Sequence, residues 1–219
     1  MFKAVIFDWD GTLADTSSVL LISFKTALRE INCEVTDNMI ERRIGIGTIS
    51  TLQELLTEKQ VPYDDELIQR LLKIKVQTEI NHSNQVDLFE GAIELLDSLE
   101  SKIKIALASM NQREFIDHML KEKKIQKFFD VTLTANEVSK PKPDPEIFLK
   151  TALKLNVKPE KCVVIEDSIF GVRAAKAANM GCIAVTQGAY SKEELCEEKP
   201  DLIVSSLKEK EVILRLIFS

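Results

Sequence analysis

Apolar residues in this chain gather in short continuous runs at positions 4–7, 103–108, 131–134, 162–165 and 182–185. The runs are too short for helices, rich in β-branched residues and free of apolar/polar alternation, so they predict strands buried on both faces. Between them the period changes. Apolar residues recur at helical spacing over 92–99, 113–121, 146–155 and 169–179. Strands that alternate with helices predict an α/β fold, a doubly wound parallel sheet covered on both sides. Local punctuation agrees. Asp144-Pro145 supplies a cap and a proline at a helix start, and Ser191-Lys192-Glu193-Glu194 is a capping-box pattern.

Residues 15–83 break the alternation. Val19, Leu20, Ser23, Phe24, Ala27, Leu28 and Ile31 follow one helical stripe, and further helical segments are expected at 39–44, 49–58 and 66–80. Four such segments suffice for a small α-helical bundle with its own core. The expected organisation is therefore a core made of 1–14 and 84–219, with 15–83 inserted after the first strand. No internal repeat, low-complexity tract or long charge block interrupts this pattern. The late run Val212-Ile213-Leu214, broken by Arg215, reads as a packed terminal helix or strand.

A length of 219 residues can bury a substantial interior. The net charge of −6 argues against a general electrostatic grip on nucleic acid or an anionic membrane, so an anionic substrate has to be held by a local site. No apolar stretch approaches the ~20 residues that span a bilayer, and no secretory signal pattern opens the chain. A cytoplasmic location is the default expectation. Cys33, Cys162, Cys182 and Cys196 are too widely spaced for a zinc or redox motif and read as reduced thiols. With only His82 and His118 present, a histidine-based metal cluster is excluded.

The candidate chemistry lies where the predicted strands end. Ala4-Val5-Ile6-Phe7 leads into Asp8-Trp9-Asp10-Gly11-Thr12, and residues two apart on a strand share a face, so both carboxylates point one way and Trp9 the other. Two close carboxylates persist where a cation sits between them or where one holds a proton. Ser109 and Asn111 follow the second core run, and Glu166-Asp167 follow the run ending at Ile165. Lys140 lies in Ser139-Lys140-Pro141-Lys142-Pro143-Asp144, a loop stiffened by prolines. In open parallel sheets such ends form the rim where ligands collect. The Gly-x-Gly of Ile44-Gly45-Ile46-Gly47 lies in the helical insertion and reads as a loop reaching over that rim.

In joint occurrence and order, these motifs resemble the haloacid dehalogenase-like superfamily, in its helical-cap branch of phosphoglycolate phosphatases and β-phosphoglucomutases. The matching segments are 8–16, Ser109, Lys140-Pro141-Lys142-Pro143-Asp144, and Ile165-Glu166-Asp167-Ser168 followed by Gly171. The resemblance implies a Rossmann-like core, an inserted cap and a Mg²⁺-dependent phosphatase acting on a small phosphorylated metabolite. Asp8 would be the nucleophile that forms an aspartyl-phosphate, and Asp10 the general acid and base. Asp8, the Asp10 backbone carbonyl and Asp167 would hold Mg²⁺, with Glu166 acting through water or as an anchor. Ser109, Asn111 and Lys140 would bind phosphate, Lys140 also holding Asp8.

Dehalogenation needs neither a metal nor a second acid-base carboxylate and is disfavoured. A sugar-phosphate mutase is the closer alternative. By resemblance it needs a histidine in the first cap helix and an arginine in a cap loop, where this chain has Leu20 and approximately Thr48, although Arg42 and Arg43 lie nearby. A binding or regulatory protein on the same scaffold is a third reading, and it ordinarily requires loss of a catalytic group. The cap sequence carries no pattern that selects a leaving group or an oligomeric state.

Overall fold

The computed structural model describes residues Met1–Ser219. Strand β1 (Ala4–Phe7) is buried along its whole length. After it come β2 (Ala14–Asp15) and four helices, α1 (Ser17–Arg29), α2 (Asp37–Glu41), α3 (Thr48–Glu58) and α4 (Asp65–Asn81). β3 (Asp87–Leu88) then pairs antiparallel with β2, so the helical stretch leaves and returns at one place. Alternation resumes with α5 (Ala92–Leu99), β4 (Lys104–Ala108), α6 (Arg113–Glu122), β5 (Val131–Leu133), α7 (Glu146–Leu155) and β6 (Cys162–Glu166). The chain ends through α8 (Ile169–Ala177), β7 (Gly181–Val185), α9 (Lys192–Glu197), β8 (Leu202–Val204) and α10 (Lys210–Phe218).

The main sheet has six parallel strands in the order β5-β4-β1-β6-β7-β8. Because successive side chains on a strand point to opposite faces, each central strand feeds two apolar layers. Val5, Phe7, Ile105, Leu107, Val163 and Ile165 pack on one side with α5, α6 and α10. Ala4, Ile6, Ala106, Ala108, Cys162 and Val164 pack on the other with α7 and α8. The order reverses at β1, whose neighbours β4 and β6 continue in opposite directions, and a crevice opens there beyond the strand ends.

The helices α1 to α4 have a separate core that includes Leu20, Phe24, Leu28, Leu52, Leu55 and Leu71. Thr36 and Asp64 cap α2 and α4 by accepting from the N–H groups of Met39 and Leu67. One feature of the main sheet differs from the sequence reading: β8 is a three-residue edge strand, too short for a periodic signal. The 212–215 run, expected as a helix or a strand, is helical within α10. Asp144 accepts the Glu146 N–H at 3.0 Å and Ser191 forms its capping box at α9, as their spacing predicts.

Candidate active site

β1 delivers Asp8 to the crevice, and the Asp8 N–H still bonds to the Ile165 carbonyl, which fixes the first residue beyond the strand. A tight turn follows, in which the N–H groups of Leu13 and Ala14 both donate to the Trp9 carbonyl. Trp9 points into the larger apolar layer and is fully buried. Asp10 is half-buried and accepts from the Thr16 hydroxyl at 2.8 Å.

The lysine that meets Asp8 is Lys142. Its Nζ lies 2.6 Å from Asp8 Oδ1 and 2.5 Å from Glu166 Oε1, and the side chain is 1% exposed. Lys140, expected in this place, is 72% exposed and stands 3.8 Å from Asp144. The physical reason is packing. Helix α7 buries Phe148 beneath the site, and the Lys142 ammonium sits 5.0 Å from that ring, whereas the Lys140 backbone is tied outward to Glu146. The sequence offers Lys-Pro-x-Pro in two overlapping registers, 140–143 and 142–145, and only the docking of α7 distinguishes them.

Glu166 is fully engaged. Its Oε1 takes Lys142, and its Oε2 accepts from the N–H groups of Asp167 and Ser168 and from the Ser168 hydroxyl. Asp167 Oδ1 accepts from Thr12, but Oδ2 is buried with no partner. Ser109 is buried, and its hydroxyl accepts the Asn111 N–H at 3.1 Å. Asn111 instead reaches the inserted helices, where its side chain accepts from Lys75 Nζ and donates to Glu79, both at 3.1 Å. Lys75 and Glu79 escape the sequence reading because an i,i+4 Lys/Glu pair ordinarily marks a solvated helix face. Their phase is the available signal, since Leu71, Lys75 and Glu79 share one buried stripe of α4.

The carboxylates of Asp8, Asp10, Glu166 and Asp167 meet Lys142 in this crevice, with Lys75 on the side of the helical stretch. Burial pushes the Asp8 and Asp167 carboxyls up; the Lys142 charge pulls Asp8 part of the way back, and Glu166 raises both further. Asp10 is also raised by burial, opposed first by Lys75. The Lys142 ammonium is held charged by its two carboxylates against burial, which works the other way.

Such a cluster fits a hard divalent cation. Asp8, Glu166 and Asp167 each offer a carboxylate oxygen within 4.8 Å of the others. Room is kept beside the orphaned Asp167 Oδ2, where a Cβ on Gly11 or Gly188 would come within 2.2 or 1.7 Å. Glu166, with Oε1 on Lys142 and Oε2 on two N–H groups and a hydroxyl, has little coordinating capacity left.

The helical stretch covers the crevice. Gly45, at φ +107°, lies so close to Ser168 that a Cβ would fall 2.6 Å from its hydroxyl oxygen. Tyr190 donates to the Arg42 carbonyl at 3.0 Å, and Arg42 stacks 4.8 Å from the Tyr190 ring while bonding Glu194 at 2.6 Å.

A sequence model described as haloacid dehalogenase-like hydrolase matches residues 5–185. The chain is 34% identical to a phosphorylated carbohydrates phosphatase of Thermotoga maritima, over 94% of this chain and 99% of that one. It is 33% identical to a β-phosphoglucomutase of Bacillus subtilis, covering 85% and 84% of the two chains. A solved hydrolase from Pseudomonas syringae superposes with a TM-score of 0.91 at 28% identity, covering 99% of this chain and all of that one. With most of its length matched by that description, the chain belongs to the haloacid dehalogenase-like hydrolases.

Proposed function

We propose that this protein is a Mg²⁺-dependent phosphatase that hydrolyses a small phosphate monoester through an aspartyl-phosphate on Asp8. The observation that carries this reading is the Lys142 bridge between Asp8 and Glu166 beside the unpartnered Asp167 Oδ2. Asp8 and Asp167 would hold Mg²⁺ together with the Asp10 carbonyl. When bound, the ion supplies positive charge that offsets the repulsion between the carboxylates and the phosphate.

Lys142 fixes Asp8 Oδ1, so the other oxygen of that carboxylate attacks phosphorus as the bond to the leaving oxygen breaks. Asp10, whose carboxyl burial biases toward holding its proton, gives that proton to the leaving alcohol. The Asp10 carboxylate then takes a proton from water, whose oxygen attacks phosphorus and releases Asp8. Ser109 and neighbouring N–H groups bind the phosphate oxygens. Residues 15–83 act as the cap that excludes bulk water.

Hydrolysis is favoured over phosphate return to a bound sugar. A mutase has to grip a second phosphate under the cap, yet Arg43 is spent on Glu54, Glu58 and the Met39 carbonyl, and Arg42 on Glu194. The test is phosphate release from a panel of monoesters with Mg²⁺ and with chelator, alongside Asp8→Asn. Metal-dependent release that disappears in the variant is the expected result. Silence across the panel, with isomerisation of a hexose 1-phosphate, would replace this reading with the mutase.

A further inference from the structure

The cap side of the active-site cavity contains an ion pair that none of the catalytic steps uses. Lys75 and Glu79, one turn apart on α4, are both completely buried, with Lys75 Nζ 2.5 Å from Glu79 Oε1. Asn111 closes the triangle from the core side. Lys75 lines the cavity with Asp8, Asp10, Leu20, Phe24 and Asn111; the cavity is partly open to solvent and, with the helices in this position, holds about 30 Å³, so a substrate enters as they lift.

The charges around this space are unevenly matched. Lys75 is a buried cation lining the cavity from the helical stretch, and its charge already answers to Glu79 and to Asp10. Glu79 Oε1 accepts from both Lys75 and Asn111, while Oε2 is buried with no partner and faces no other cation. Arg43 borders the cavity but directs its guanidinium at Glu54 and Glu58. A leaving group carrying a carboxylate or a second phosphate would be partly desolvated there with no unmatched positive charge to receive it, which is costly. An uncharged hydroxylated group meets no such penalty. It can accept from the Lys75 ammonium and exchange hydrogen bonds with Asn111 and with the hydroxyls of Thr48 and Thr51, which also line the space.

We infer that the Lys75–Glu79–Asn111 cluster selects phosphate monoesters whose leaving group is a small, uncharged, hydroxylated alcohol, and that Glu79 sets this preference by neutralising Lys75. The inference rests on the phosphatase reading. Glu79 acts through Lys75 and is a specificity-determining positioning residue; it does not take part in phosphoryl transfer.

A near-isosteric pair of probes isolates the charge. Glycerol 1-phosphate and 3-phosphoglycerate differ by a hydroxymethyl group against a carboxylate at the end remote from the phosphate. The native protein is expected to favour glycerol 1-phosphate at least tenfold in kcat/KM. Glucose 1-phosphate should be favoured over glucose 1,6-bisphosphate in the same direction. In Glu79→Gln, the Lys75 charge is released, and the preference should shrink or invert by about tenfold, mostly through a lower KM for 3-phosphoglycerate with kcat little changed. A structural role alone would lower turnover of both substrates and leave their ratio unmoved. Equal or better use of 3-phosphoglycerate by the native protein would overturn the inference while leaving the phosphatase reading intact, and that measurement does not depend on whether the variant folds. A folded Glu79→Gln with an unchanged ratio would also overturn it. Release from no monoester at all would remove the phosphatase reading and this inference with it.

Discussion

Replacing Lys142 tests the arrangement of the site most directly, because the sequence presents two candidate lysines and the fold chooses between them. Lys142 Nζ contacts two carboxylates, at 2.6 and 2.5 Å, with the side chain 1% exposed. At an effective dielectric of ~20 each contact is worth about 6 kcal/mol of gross attraction, most of it offset by the desolvation of three buried charges. Removing one partner of a buried pair leaves the others uncompensated and costs about 3–5 kcal/mol, or roughly 6–20 °C in melting temperature for a domain of this size. Lys142→Met should therefore melt well below the native protein and, where folded, lose about 100- to 1,000-fold in kcat, the effect of removing one preorganised electrostatic partner. Lys142→Arg should not rescue, since the longer planar group has no room in a closed pocket. Lys140→Ala is the control. Its exposed contact with Asp144 at 3.8 Å is worth about 0–1 kcal/mol, so both melting and turnover should stay near native. Thermal melts and phosphate release on the two variants side by side decide the matter. An inactive Lys140→Ala beside an active Lys142→Met would refute the geometry.

Two further outcomes are expected. Gly188→Ala puts a Cβ 1.7 Å from the present position of Asp167 Oδ2, so the Mg²⁺ concentration needed for half-maximal phosphate release should rise roughly 10- to 100-fold; an unchanged titration would remove Asp167 from the metal site. Glu146 is held down to about 2 by Lys150 and by the N–H groups of Ser139 and Lys140, against an ordinary value of 4.5. A carboxyl depressed on folding contributes stability that is present above 4.5 and lost as pH falls toward 2, so native melting should drop more steeply than that of Glu146→Gln across this window. Parallel curves for the two proteins would show that Glu146 does not anchor the lysine loop.

Most of the sheet is legible in the sequence because strands buried on both faces leave unbroken apolar runs, as at 4–7 and 162–165. β8 is not, since a three-residue edge strand carries no period. The two-residue strands β2 and β3 escape for the same reason, although they mark where the helical stretch leaves and returns. At the site, Asp8, Asp10 and Asp167 follow from strand ends, a local property. The lysine does not, because choosing Lys142 requires knowing which face of α7 meets the sheet. Lys75 and Glu79 are harder still. Their burial depends on the cap closing against the loop of Asn111, a contact between residues 36 positions apart for Lys75 and 32 for Glu79.

The placement of β1 at the centre of the sheet bears on how the chain reaches its native state. Its partners are β4, with Ala4 opposite Lys104, and β6, with Ala4 opposite Cys162. Ala-Val-Ile-Phe is thus synthesised before either strand that will cover its edges, and the whole helical stretch is made in the interval. Contacts between successive helices, such as α1 with α2 and α3 with α4, can assemble early, whereas the central strand waits for pairings of high sequence separation, the slow class in folding kinetics. Until then an apolar edge is open to the wrong neighbour. The strand that aims Asp8 into the crevice is therefore also the segment most exposed to misassembly, and mutations that slow the formation of β4 or β6 should reduce yield before they affect catalysis.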